Sequence, residues 1–590
     1  MAIYTLNKCV TTLLCFLFCF AIVSAQETIS EIPLNKQVDL STQIIEGKVI
    51  SKESFWDETH SNIYTKQTIQ VHKVFKGQAF ETVEVITKGG VVDLEAQVVS
   101  HSLHLNNGDV GLFVLKQHSS NIQSNRNNSF QTVSDAQSFY KYNLDKNSAV
   151  NAFNNIQDID KNLYSKLEQH TNRKFLELKP LKISQSSKTG SISLKSSFAP
   201  IITSFSTNNI TAGTKSTIII NGSNFGTTKG TVGFSDANYG GALFYNALEN
   251  QIISWSNTQI EVEVPDRAGT GPIEVTTSGS QSILSSQNLT IDFAQVNLEY
   301  ANDAYQTQHV DNNSNGGNTW TMNQDFFNSD AKEAFERAIE SWTCSTGINW
   351  EIDSNTTSIN TNANDGINII TFDPTMSGGT LGQCYSSYSG CYEGGEIKWY
   401  VTDMDIILNG NKNWNFTTNP PAYNQVDFES VIVHELGHGH QLGHVIDTNV
   451  VMHYSISAGE SLRVLSTDDL MGAEDVQSRS TTTTVCSQLS MTNYECLGEG
   501  SGLSIADNQL ESDITLYPNP AKSNLYIKNS GYQNIDRVSV FNVVGKEIYT
   551  TFNSKNSRVL QLDLSRYARG VYLVKINSEI GTVTKKLVVN

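Results

Sequence analysis

The chain has 590 residues, 38% hydrophobic and 17% charged, with 40 Gly and 10 Pro. That composition fits several globular domains and excludes a collagen, a coiled coil or a wholly disordered chain. Its 59 acidic residues outnumber 40 basic ones and no long Lys/Arg block occurs, so a nucleic-acid or anionic-membrane partner has no electrostatic footprint.

Lys8, an apolar run over residues 9–23 and the small-residue end Val23-Ser24-Ala25 predict a secretory signal peptide over residues 1–25, cleaved after Ala25. The run is too short for a membrane span and no second one follows, so no transmembrane segment is expected in the mature chain. Cleavage leaves Cys344, Cys384, Cys391, Cys486 and Cys496. The close pairs Cys384 with Cys391 and Cys486 with Cys496 are candidates for small-loop disulfides with Cys344 left over, or else for buried thiols.

Residues 26–120 read as a small all-β domain, with β-rich runs at 68–71 and 82–86 between Gly and Asn turns. His101 and His104 lie three apart; with no further ligand nearby, a solvated or hydrogen-bonded role is favoured over a metal site. Residues 121–197 are rich in Asn, Ser and Lys and read as a polar spacer, with one helix near 152–168 and a linker at 184–197.

Residues 198–293 form a second all-β unit. The turn Gly222-Ser223-Asn224-Phe225-Gly226, the strand Trp255-Ser256-Asn257-Thr258-Gln259-Ile260 and the later Gly269-Thr270-Gly271-Pro272 resemble the IPT/TIG family. The resemblance implies an immunoglobulin-like β-sandwich that spaces or binds.

From 294 to 480 the texture becomes mixed. Ala334, Phe335, Ala338, Ile339 and Trp342 follow helical periodicity, with Ser329 or Asp330 as cap, and strand-like runs follow at 366–372, 396–399 and 405–408. Then comes His434-Glu435-Leu436-Gly437-His438. On a helix this spacing puts two imidazoles on one face, able to share one zinc ion, with Glu435 beside the attacking water as general base. A catalytic zinc needs a third protein ligand. His440 is poorly placed, roughly 200° around the helix from His438. His444 serves if the helix stops and the chain turns back, which Gly437, Gly439 and Gly443 permit.

The segment resembles a metzincin metallopeptidase of the matrixin type: His434, Glu435, His438 and His444 meet the family pattern, while Gln441 stands where the family has Gly. Gln441 must therefore accept a strained backbone or shift the turn onto Gly439 or Gly443. Val450-Val451-Met452-His453-Tyr454 resembles the Met-turn, which implies that Met452 lies beneath the metal. Tyr454 is the position some metzincins use to stabilise the developing oxyanion, and His453 points away. Leu465-Ser466-Thr467-Asp468-Asp469 resembles the start of the family's last helix, with Ser466 and Asp469 as a capping pair. The Asp and Asn residues at 360–365 and 409–413 are a weak calcium candidate that matches no EF-hand spacing. No Cys occurs between Gln26 and Thr343, so the cysteine-switch latency of many matrixins is absent in its usual form. Inhibition by the N-terminal region would have to be steric or use a different ligand.

After a linker at 481–512, residues 513–590 return to β. Tyr517-Pro518-Asn519-Pro520, Gly570-Val571-Tyr572-Leu573-Val574 and Lys585-Lys586-Leu587-Val588-Val589 resemble the C-terminal sorting domain of the Por, or type IX, secretion system. The resemblance implies that secretion machinery as a partner and release from, or attachment to, a bacterial cell surface. The expected protein is multidomain: an α+β metzincin-like catalytic domain flanked by all-β, immunoglobulin-like domains. It is expected to be a secreted zinc endopeptidase acting on protein or peptide substrates; the alternative is a surface adhesin carrying an inactive zinc module.

Overall fold

The computed structural model describes the chain from residue 31 onward, apart from residues 119–126, 145, 182–198, 377, 497–513 and, further on, 523, 530–534, 543–545, 553–558, 565, 579–580 and 590. The signal peptide, the linker at 184–197 and the second half of the linker at 481–512 lie outside the described residues. The chain divides into two compact units, one of residues up to Trp342 with Ile348–Asn493, the other of Thr343–Gly347 with Tyr494–Asn590. It is mostly β, with its longer helices in the region that carries the His cluster.

In the first unit, the N-terminal strands close into a barrel. Gln43–Trp56 pairs with both Ile63–Lys76 and Val110–Gln117, and the ring runs on through Thr82–Lys88 and Ser129–Thr132. The strands Phe139–Asn143, Ser148–Val150 and Asn155–Gln157 extend this sheet, and Leu176–Glu177 returns to pair with Ile63–Lys76. Much of the expected spacer is thus part of the barrel domain, a correction to the reading of 121–197. Its strands are short and joined by Asn-rich turns, so polar composition hides a set of edge pairings. The helix expected at 152–168 is limited to a π-helical turn, Ile159–Tyr164, and Ser165–Thr171.

Residues 201–295 form a sandwich. One sheet contains Ile201–Phe205, Thr217–Ser223, Gln259–Glu263 and Ile252–Trp255; the other contains Phe244–Asn246, Thr231–Asp236, Ala268–Thr276 and Ser282–Leu284. Alternation along the strands sends Ile218, Ile220, Val232, Phe234, Ile260, Val262, Ile273 and Val275 into one core.

The next region is built on a sheet ordered Trp350–Ile352, Asn318–Met322, Asn368–Asp373, Glu396–Asn409 and Gly382–Glu393. Pairing is parallel except between the last two strands. The helices Ala331–Thr346 and Phe428–Gly439 bury Trp342, Val431 and Leu436, which join the sandwich residues in one continuous apolar core. The strand Gly382–Glu393 would be the sheet's edge. Instead, Glu95–Val99 of the barrel domain pairs with it antiparallel, with Tyr385 opposite Val99 and Ser389 opposite Glu95, and Gly90–Val92 adds a further strand.

The second unit contains two sheets, Ile514–Tyr517 with Asn524–Asn529 and Val559–Asp563, and Glu547–Phe552 with Ile535–Asn542, Gly570–Ser578 and Gly581–Val589. They close on their own core, with Leu525, Ile527, Val538, Val540, Val574 and Leu587 fully buried.

The disulfides differ from expectation. Cys391 bonds Cys486, Cys344 bonds Cys496, and Cys384 is a buried free thiol. Cys384 and Cys391 share the strand Gly382–Glu393. Seven residues of extended chain span roughly 23 Å, far beyond the reach of a disulfide. No helix of the described residues is long and apolar enough to cross a membrane.

Candidate metal centre

The helix Phe428–Gly439 begins at Asp427, whose Oδ1 accepts from the Ser430 amide at 3.0 Å and from Arg463 Nε at 2.9 Å. Every residue of the helix except Glu429 is buried, as befits a helix apolar on nearly all sides. One turn separates His434 from His438, and their ring centroids are 4.7 Å apart at 89°. The helix ends at Gly439, and Gln441 turns the chain with a left-handed φ of +67°. Leu442–Gly443 then pairs with the strand Thr290–Gln295. That turn returns His444 to the helix, with its Nε2 3.1 Å from Nε2 of His438.

Each of the three imidazoles is fixed from behind. His434 Nδ1 donates to the Val451 carbonyl at 2.8 Å, His438 Nδ1 to the Leu442 carbonyl at 2.9 Å, and His444 Nδ1 to Asn238 Oδ1 at 2.8 Å. With the proton on Nδ1, each Nε2 carries a bare lone pair. Two such lone pairs facing at 3.1 Å, and a third on the buried, unpartnered Nε2 of His434, repel one another unless a cation lies among them. Burial keeps all three rings neutral: it pulls His434 down to about 4, His438 to about 3, and His444 well below the usual range. Neutral imidazoles at this spacing are the donor set of a divalent transition metal. The residues therefore fit a zinc ion.

A fourth imidazole joins them. One ring nitrogen each from His101, His434, His438 and His444 lie within 4.8 Å of one another, and all four residues are buried. His101 stacks on His444 at 4.9 Å between centroids, and its Nε2 is 3.5 Å from Oε1 of Glu435. Glu435 is fully buried, and Ser100 Oγ donates to its Oε2 at 3.0 Å. Burial alone would raise its carboxyl pKa, but the adjoining His101, with His438 and His434, holds it down at about 2. Gly382 leaves room for the carboxylate: a Cβ there would lie 3.2 Å from Glu435 Oε1.

Residues 289–477 match the family profile described as Matrixin. The chain carries a matrixin peptidase domain. Residues 200–292 match the IPT/TIG domain, and residues 515–590 match the secretion system C-terminal sorting domain. No curated protein matches the chain. That matrixin metallopeptidase domain holds the buried His cluster, and the sorting domain marks the protein for secretion or cell-surface attachment.

Within the matrixin domain, Met452 packs under the helix so closely that a Cβ on Gly437 would meet its sulfur at 2.2 Å. Asp469 anchors this turn, accepting from the Val451 and Met452 amides at 3.0 and 3.1 Å while also capping its own helix with Ser466. Gln441 takes the strained conformation instead of shifting it to a glycine. Its side chain is tied at both ends, with Oε1 accepting from Thr307 and Tyr388 and Nε2 donating to the Gly439 carbonyl. These bonds offset the roughly 1–2 kcal/mol of a left-handed non-glycine residue.

His440 turns into the core among Trp342, Trp350 and His309, away from the cluster. His453 bonds Ser455. The Tyr454 hydroxyl lies over Gly240 of the sandwich, where a Cβ would approach it to 2.4 Å. Side-chain amides of the second calcium candidate tie it to the segment 374–380, Asn409 donating to the Thr380 carbonyl and Asn411 to that of Pro374. Asp403 and Asp405 are buried near Asp365, their carboxyls raised by burial and then by a neighbouring carboxylate, but among the described residues no three carboxylates there converge as the imidazoles do.

His101 corrects the reading of it as solvated or merely hydrogen-bonded; His104 is exposed and outside the cluster. Asn238 and Ser100 carried no signal in the sequence, since each acts across the fold. A cavity of about 470 Å³, lined by His101, Asn238, Arg267, Glu299, His438 and His444 among others, opens onto the cluster between barrel, sandwich and peptidase.

Proposed function

We propose that His434, His438 and His444 hold one catalytic zinc ion, that Glu435 is the general base, and that the protein is an endopeptidase. The observation that carries this reading is the convergence of three neutral imidazoles, each with Nδ1 tied to an oxygen, around one point beside a buried carboxylate. Held by these three imidazoles, a zinc ion would supply Lewis acidity toward a water molecule and the scissile carbonyl. Glu435, ionised and next to that point, takes the proton from the attacking water and passes it to the leaving amine. The Asp469 clamp and Met452 keep the helix and the Val451 carbonyl in register, which orients His434. Tyr454 would stabilise the oxyanion only after its hydroxyl leaves Gly240. Extended peptides are the substrate class, since the strand Gly382–Glu393, which leads to Glu435, already accepts an extended segment, Glu95–Val99, along its backbone edge, the place a substrate strand would take.

The test is metal stoichiometry in the full chain. The unaltered protein and Glu435→Ala should each carry one zinc, and the double variant His434→Ala/His438→Ala, which leaves only two imidazoles in the cluster, should carry none. Stoichiometric zinc in that double variant would overturn the ligand assignment.

A further inference from the structure

We infer that the N-terminal barrel domain keeps the peptidase latent by inserting His101 as a fourth ligand at the metal. This rests on the zinc reading above. Three protein ligands leave a catalytic metal one position for water or substrate, whereas four close it, as in structural sites. Here the fourth imidazole is supplied from a different domain, buried to 2% side-chain exposure and within the common 4.8 Å of the other three.

The delivery of His101 is specific. The strand Glu95–Val99 occupies the free edge of the catalytic sheet. Ser100 continues the ladder, its amide donating to the Cys384 carbonyl at 3.0 Å, and its hydroxyl accepts from the Cys384 amide at 2.9 Å while donating to Glu435. The next residue, His101, leaves the strand with a left-handed φ of +61°, a conformation a β-carbon resists. Strain of this kind persists only where the surroundings over-determine it. It falls at the one residue that must turn from the edge strand into the imidazole cluster. The insert therefore occupies the backbone edge, a carboxylate oxygen of the general base and the metal's remaining position together. Activity requires its withdrawal.

The experiment uses the full chain loaded with cobalt(II) or zinc, comparing the unaltered protein with His101→Ala and with His101→Gln, which keeps bulk in the same place. The unaltered protein should give a visible cobalt spectrum insensitive to added azide. Both variants should show a changed spectrum that responds to azide, release zinc to a competing chelator about 10–100-fold more readily, and cleave a quenched peptide. For an open state populated at about 1% in the unaltered protein, the gain in cleavage is of order 100-fold. Either variant folding suffices. A cobalt spectrum and chelator resistance identical to those of the unaltered protein in a folded variant would overturn the proposal. The double variant His434→Ala/His438→Ala, which leaves two imidazoles, separates the two claims: retention of stoichiometric metal there refutes the zinc reading itself, whereas its loss together with unchanged His101 variants refutes only the fourth ligand.

Discussion

Two β domains reach the same imidazole cluster, and they touch it on opposite sides. The barrel domain presents His101 to the face where the imidazole nitrogens converge; the sandwich presents Asn238 to the back of His444, at Nδ1. On one side of an imidazole a neighbour competes for the metal, and on the other it fixes the tautomer and raises ligand basicity. Neither domain is a mere spacer. Removing the first contact should open the site, and removing the second should weaken it.

The largest expected effect sets the scale for that comparison. In a His101→Ala background, Glu435→Ala should lower peptide turnover by about 10²–10⁴-fold with zinc content unchanged, as read by metal analysis beside a peptide assay. Loss of zinc along with turnover would mean that Glu435 is needed to build the site, and the contrast between ligand face and support face would lose its reference point.

His434, Glu435 and His438 were legible because a helix places residues four apart on one face, so their geometry is local. His444 and Met452 were reached through a resemblance, and the pairing of Leu442–Gly443 with the sandwich strand Thr290–Gln295 supplies the reason the chain turns back. Ser100 and Glu435 are 335 positions apart, and Asn238 and His444 are 206 apart. No periodicity joins such pairs; only the pairing of Glu95–Val99 with the catalytic edge and the packing of the sandwich do so. The disulfides were misread for a related cause, since proximity in sequence within one extended strand is distance in space. The barrel's later strands were hidden because short polar edge pairings have the composition of a linker.

Gln441 tests whether the support side is held by hydrogen bonds or by the turn alone. Gln441→Ala keeps the left-handed strain and leaves the Thr307 and Tyr388 hydroxyls without their shared acceptor. Leaving buried donors unpaired costs about 1–3 kcal/mol each, so urea unfolding should show a loss of about 2–6 kcal/mol for the two. A change below about 0.5 kcal/mol would assign the turn's stability to the Gln441 amide, which bonds the His438 carbonyl, and to its own carbonyl, which accepts from the Val296 amide.

Asn238→Ala addresses the sandwich side directly. Zinc affinity should fall by about 10–100-fold in a competition titration, with peptide cleavage falling in parallel. This is opposite in sign to the gain in cleavage expected of His101→Ala. The same sign for both substitutions in the cleavage assay would break the comparison.

Ser100→Ala is the smallest and most discriminating change. It removes the one hydroxyl that donates to Glu435 from the insert while leaving His101 and the strand pairing in place. A hydrogen bond to a charged group contributes about 1.5–3 kcal/mol, but water can take over the carboxylate lone pair once the insert lifts, so the net loosening is closer to 1.4 kcal/mol, about tenfold in population. Basal cleavage should therefore rise by about tenfold, less than for His101→Ala, with the cobalt spectrum unchanged because the fourth imidazole stays in place. A gain equal to that of His101→Ala would shift the weight of latency from the metal to the general base, and the barrel domain would then act by occupying Glu435 instead of by ligation.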